Sequence, residues 1–193
     1  MYTRHIGRNK EIREDPMAEG MDRCIQMLAA ALEKEEKSRD FYKEAITVCS
    51  SEVGKEMYRM LMAEEGVHMK RIKTIYSGLQ GGTGWTTEWK AHKGEVENLH
   101  NLMQERIRTL GPKITAEMRD VDALMIGIQM EQGAVNFYAE SLEKATDPLE
   151  REFVEAMLRE ERGHYAALSD LKMYFENPES WFIEKEHHTL DGA

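Results

Sequence analysis

The sequence predicts an all-α chain folded as a four-helix bundle, two antiparallel helix hairpins joined by a long crossover. Three observations predict it. The prolines Pro16, Pro112, Pro148 and Pro178 leave long uninterrupted segments rich in Glu, Lys, Leu, Met and Ala, which favour helix. Within those segments the apolar residues recur at three-and-four spacing, which marks one buried helical stripe per segment. Two short reversals are separated by one long, glycine-bearing connection, so the second and third helices must run parallel.

The first helix is expected over about 18–49, on the stripe Ile25, Leu28, Leu32, Tyr42, Ile46 and Cys49. Ser50-Ser51 offers an N-cap to a second helix over about 52–77, carried by Val53, Met57, Leu61, Ile72 and Ile75 and stopping at Gly78. The methionines of this helix, Met57, Met60, Met62 and Met69, are read as packing rather than redox protection. The crossover, about 78–118, opens with four glycines between Gly78 and Gly84 and holds a weaker helical stretch around Glu95 to Leu110, ending at Gly111-Pro112. Trp85 and Trp89 within it are expected to pack on the core.

Leu124, Ile128, Val135, Tyr138, Leu142 and Ala145 carry the third helix. Asp147 then supplies an N-cap, Pro148 the first helical position and Glu150 a capping-box glutamate, which together predict a sharp turn. The fourth helix runs on Leu149, Phe153, Met157, Leu168, Leu171 and Phe175 and stops near Asn177-Pro178. The bundle is thus expected over 18–176, with polar tails at 1–17 and 177–193.

Composition narrows the function classes. A net charge of −10, from 36 acidic against 26 basic residues, leaves no cationic footprint for nucleic acid or an anionic membrane. Met1 to Pro16 carries Arg4, Arg8, Glu11, Arg13 and Glu14 with no apolar run, so it reads as neither a secretory signal nor an anchor, and a cytoplasmic protein is expected. Cys24 and Cys49 form no CxxC knuckle and no disulfide framework, and are read as packing residues.

Against this background, several charged residues fall on the wrong side of their helices. Glu35 sits in the apolar stripe of the first helix, Glu65 and His68 in that of the second, Glu131 between Ile128 and Tyr138 in the third, and Glu161 and His164 in the fourth. A lone buried carboxylate is expensive, and four facing one another repel unless cations neutralise them. Two divalent metals would do so. Oxygen-rich ligands with one imidazole per metal suit iron, with manganese as the alternative, better than a thiol-selecting metal.

An internal repeat carries the same residues. Glu35 to Glu65 and Glu131 to Glu161 both span 30 residues, and an offset of 96 maps Glu35 to Glu131, Phe41-Tyr42 to Phe137-Tyr138, Ser51 to Asp147, Glu65 to Glu161 and His68 to His164. Each turn lies near the midpoint of its interval, so both ligand positions return to one height along the bundle. By contrast, Glu97-x-x-His100 and Glu184-x-x-His187 have valines, Val67 and Val154, thirty residues upstream and are read as solvated surface. An isolated Glu-x-x-His has little weight, since 28 glutamates and 7 histidines give roughly one by chance.

At these residues the chain resembles the ferritin-like di-iron family, and more narrowly the rubrerythrin-related proteins, over about residues 20–176. The resemblance implies that Glu35 and Glu131 are terminal carboxylates, Glu65 and Glu161 bridging ones, and His68 and His164 the nitrogen ligands. It also implies that Tyr42 and Tyr138, each seven residues after a helix-first glutamate, are the catalytic tyrosines that hydrogen-bond across to ligating carboxylates. Two departures stand out. This chain lacks the paired CxxC motifs of a rubredoxin module, so an electron donor would be a separate protein, and Ala134 stands where those proteins carry a further glutamate. The ligand set is the symmetric six-residue kind, similar to that of bacterioferritin.

The function expected is redox chemistry with oxygen or hydrogen peroxide, either oxidation of ferrous iron or reduction of peroxide, at two iron ions. A manganese catalase-like activity is a variant of it. The alternatives are a protein that stores, buffers or senses iron without fast catalysis, and a metal-free helical interaction module. A homo-oligomer, a dimer first, is expected by analogy with bundles of this class.

Overall fold

The computed structural model describes residues 16–94, 98–110 and 116–190. The expected tail up to residue 15, Glu95 to Glu97, the helix end at Gly111-Pro112, residues 191–193 and the side chain of His187 lie outside the described residues. Six α-helices make up the described chain: α1 (Pro16–Val48), α2 (Glu52–Gln80), α3 (Leu99–Leu110), α4 (Met118–Lys144), α5 (Pro148–Glu176) and α6 (Pro178–Leu190). A 3-10 turn at Glu88–Ala91 lies in the crossover. No described helix is long and apolar enough to cross a membrane.

Helices α1 and α2 form one hairpin, α4 and α5 the other, and the two pack into the bundle with α3 laid against α5. Ser51 caps α2, its hydroxyl accepting the Gly54 N–H, and Asp147 caps α5 by accepting those of Leu149 and Glu150. Helix α2 passes through Gly78 to Gln80, past the expected stop. The reason is where the backbone must change hand: glycine is tolerated inside a helix, and positive φ is first required at Gly82 and then at Gly84.

Each reversal is held by a buried carboxylate, one from another helix and one from the turn itself. Asp120, at the start of α4, accepts the backbone N–H and the hydroxyl of Ser50, at 2.9 and 2.5 Å. At the other turn Glu150 departs from the expected capping box. Its carboxylate accepts the Thr146 N–H at 3.2 Å and hydrogen bonds from Arg23 Nη1 and Nη2, each at 2.8 Å, binding the α4–α5 turn to α1.

The expected C-terminal tail is in part a further helix. Asn177 accepts the Ser180 N–H and Pro178 takes the first helical position of α6, so the residue expected to end α5 instead starts its successor. Trp181 is fully buried against Tyr174, with ring centroids 5.9 Å apart.

Two apolar clusters fill the bundle, one at each end. Tyr42, Met57, Leu61, Leu124, Leu168, Leu171 and Trp181 belong to the first, and Leu28, Ala31, Ile72, Ile75, Tyr138, Phe153 and Met157 to the second. On every long helix the charged residues of the stripe lie in sequence between these two clusters. The tryptophans expected to pack do so: Trp89 is buried with its ring 5.4 Å from Phe153, and Trp85 stands 5.9 Å from the same ring. Cys24 and Cys49 are buried and free, and Met57 and Met69 are buried as expected of packing residues.

Candidate metal centre

All six stripe residues are buried, with at most 4 % of their surface exposed. α1 contributes Glu35, α2 Glu65 and His68, α4 Glu131, and α5 Glu161 and His164. Their donor atoms divide into two sets, Glu35, Glu65, His68 and Glu161 in one and Glu65, Glu131, Glu161 and His164 in the other, each within 4.8 Å of one another. Glu65 and Glu161 belong to both.

The atoms that face the imidazoles explain the sharing. His68 Nδ1 lies 3.0 Å from Glu161 Oε1, 3.4 Å from Glu65 Oε2 and 3.5 Å from Glu35 Oε2. His164 Nδ1 lies 3.6 Å from Glu65 Oε1, 3.7 Å from Glu161 Oε2 and 3.7 Å from Glu131 Oε2. Glu65 and Glu161 thus turn one oxygen to each histidine, whereas Glu35 faces only His68 and Glu131 only His164. Two ligands held at about 2.1 Å from one metal stand roughly 3–3.5 Å apart; the His68 contacts fall in that range and the His164 contacts, at 3.6–3.7 Å, lie just beyond it.

These atoms have no other occupation. Both oxygens of Glu65 and of Glu161, Oε2 of Glu131 and Nδ1 of both histidines are buried without a hydrogen-bond partner among the described residues. Buried polar atoms are nearly always satisfied, so seven orphans converging on one layer fit a pair of cations and fit a closed salt-bridge network poorly.

Protonation follows the same crowding. Burial pushes the Glu65 carboxyl well above the usual carboxylate range, and the charges of Glu35 and Glu161 push the same way. Burial and the Glu161 charge raise Glu131 to about 8. Burial would raise Glu161 too, but His68 and His164 outweigh it and hold that carboxyl far below the usual range. Burial would lower both imidazoles; the facing carboxylates reverse that and raise them well above the ordinary histidine value. Protons and metal cations therefore compete for the same atoms.

Tyr42 on α1 donates to Glu131 Oε1, and Tyr138 on α4 donates to Glu35 Oε1. Burial, followed by the charge of the accepting carboxylate, keeps each phenol protonated. Each tyrosine thereby occupies one oxygen of a glutamate and leaves the other to face its histidine. Ala134, buried on α4 one turn after Glu131, adds no carboxylate.

Sequence reasoning missed the outer partners of His68. Glu160 accepts from or faces His68 Nε2 at 3.0 Å and also accepts from Arg71 Nη1 at 2.7 Å. Burial would raise Glu160, but His68 and then Arg71 bring it down to about 2. The signal was available, because both repeats read Glu-Glu-x-x-His, at Glu64 and at Glu160. Of the two surface Glu-x-x-His motifs, Glu184 is exposed as expected, but His100 is half-buried and paired with Asp170 at 2.7 Å.

An all-α bundle whose two hairpins each deliver a glutamate and a Glu-x-x-His to one buried layer is a ferritin-like bundle fit for a di-metal centre. The family model described as Rubrerythrin matches residues 26–172, and the chain belongs to the rubrerythrin family. Comparison with curated proteins and with solved structures finds no match.

Proposed function

We propose that this protein is a di-iron carboxylate oxidoreductase acting on oxygen or peroxide, oxidising ferrous iron or reducing peroxide. The observation that carries the reading is the division of the Glu65 and Glu161 oxygens between His68 and His164. Glu35, Glu65, His68 and Glu161 would hold one iron; Glu65, Glu131, Glu161 and His164 the other. Held there, a pair of ferrous ions would supply two-electron redox chemistry toward oxygen or peroxide.

The chain's own residues set the conditions for that chemistry. The apolar clusters on either side exclude bulk water, and low local dielectric strengthens every charge interaction in the layer. Tyr42 and Tyr138 fix which oxygen of Glu131 and Glu35 faces inward, and hold their protons at the edge of the site. His68 is oriented from behind by Glu160. A separate donor protein would return electrons to the pair. Cys24 and Cys49 are both buried and free. The same free thiols support a reducing, cytoplasmic setting. Exposed Met118, Met125 and Ile126 along α4 support self-association through a helix face.

The test is to purify the protein anaerobically, measure iron per chain, and add oxygen or peroxide while following the near-ultraviolet absorption of ferric carboxylate iron. Two irons per chain that oxidise rapidly, recycle with a reductant and vanish in Glu65→Ala plus Glu161→Ala are expected. A slow single turnover would move the assignment to storage or sensing. A folded chain that binds no metal and ignores the double substitution would leave a helical interaction module.

A further inference from the structure

We propose that Arg71 is a positioning residue that makes the two metal positions unequal, clamping Glu160 behind His68 and tying that position to the crossover. The inference rests on the reading of the six residues as metal ligands. Arg71 is buried on α2 and uses its two faces differently. Nη1 donates to Glu160 at 2.7 Å, while Nε donates to the backbone carbonyl of His92 at 2.8 Å. Its guanidinium also lies 5.9 Å from the centre of the Trp89 ring, and His92 is held in turn by Thr74 at 2.9 Å. One side chain thus links the back of a candidate ligand to the 88–92 segment of the crossover.

The repeat supplies an internal comparison. The offset of 96 that carries Glu65 onto Glu161 carries Arg71 onto Ala167, which has no side chain to offer. The counterpart of Glu160 is Glu64, whose carboxylate lies so close to the crossover backbone that a Cβ on Gly94 would fall 2.1 Å from it. The two halves share their six inner residues and differ in what braces them. A histidine ligand binds metal best when a partner on its other nitrogen fixes its tautomer and orientation, and loss of such a partner typically costs about 10–100-fold in affinity. The Glu160 side chain is 28 % exposed, so without Arg71 it can turn to solvent and leave His68 unbraced. The position formed by Glu35, Glu65, His68 and Glu161 is therefore the tighter one and fills first.

The experiment titrates cobalt(II) anaerobically into the whole protein, reading the visible absorption of each bound ion and amide exchange across residues 88–94. Wild type is expected to bind in two phases, the tighter one slowing exchange in that segment. Arg71→Ala is expected to weaken the tighter phase by about 10–100-fold, to leave the other unchanged, and to abolish the slowing. On a His68→Ala background Arg71→Ala is expected to change nothing further, a result that general destabilisation would not give. If Arg71→Ala fails to fold, Arg71→Lys carries the comparison, since an ammonium cannot hold Glu160 and the His92 carbonyl together. Wild type that takes no cobalt overturns the metal reading itself. Wild type that takes two, with both phases untouched by loss of Arg71 or with the loss additive to His68→Ala, overturns this inference alone.

Discussion

Tyr42 and Glu131, 89 residues apart and on different hairpins, share a buried hydrogen bond whose mirror is the bond from Tyr138 to Glu35. Each hairpin thus sets the orientation of a buried glutamate on the other, Glu131 or Glu35. Tyr42→Phe should weaken metal binding on the His164 side, where Glu131 lies, and Tyr138→Phe on the His68 side. Each also leaves a buried carboxylate oxygen without a donor, costing about 1–3 kcal/mol in the metal-free protein. Cobalt titrations of the two variants check it: a loss on the same side in both would refute the crossed arrangement.

Metal binding should release protons. Both histidines are raised well above their ordinary value and Glu131 reaches about 8, so these groups carry protons at neutral pH that the cations displace, and burial shifts Glu65 in the same direction. Affinity should climb as pH rises towards about 8, where Glu131 ionises unaided. Calorimetric titrations in buffers of different ionisation enthalpy measure the protons released; a binding heat that is the same in every buffer contradicts the prediction.

The carboxylates that suit the site also burden the fold. Glu65 is fully buried with both oxygens unpartnered. Glu65→Met should raise the melting temperature of the metal-free protein, by a stability gain of about 1–3 kcal/mol, while removing the stabilisation that metal gives. Wild type should show the reverse pattern, melting higher with metal than without. Thermal melts of both proteins with and without iron decide the matter, and a metal-free Glu65→Met that melts below wild type would count against it.

Asp170 binds the outer helices to α5. Its carboxylate faces His100 at 2.7 Å, Gln104 at 2.7 Å and Lys185 at 2.8 Å. Burial would raise it, but these partners lower it to about 2. A carboxyl depressed in the folded state contributes stability above its unfolded value of about 3.9, and loses it as pH falls towards about 2. Asp170→Asn should therefore cost about 2 kcal/mol near neutral pH, with the gap from wild type closing below about pH 4. Urea unfolding across that range measures it, and a gap that widens in acid would be the wrong sign.

Trp181 is the apolar half of the same attachment. Fully buried in the cluster that contains Tyr42 and Leu168, it should cost about 3–5 kcal/mol when cut to alanine. Chemical denaturation of Trp181→Ala checks this; a loss under 1 kcal/mol would make α6 an ornament of the bundle.

Helix periodicity and the 96-residue repeat made the core legible, because each long helix buries one stripe and a charged residue in a stripe is visible without a structure. Glu35, Glu65, His68, Glu131, Glu161 and His164 all fall in the one layer expected of them. The C-terminal region was not legible in this way. Pro178 reads equally as a stop or as a first helical residue, and the choice depends on whether Trp181 finds a surface to bury against.

The sequence by itself determined the helices, the pairing of the two hairpins and the six residues of the layer, since those follow from local spacing and from an interval repeated in each half. Tertiary structure decided the rest. It set which oxygen faces which histidine, that the tyrosines cross between hairpins, that Asp120 and Glu150 pin the turns, and that an arginine holds the brace behind His68. The physical reason is that spacing along a chain fixes a side chain's angle around its own helix. Contacts between helices depend also on how far each is rotated and slid against its neighbour, which the packing of the whole core sets.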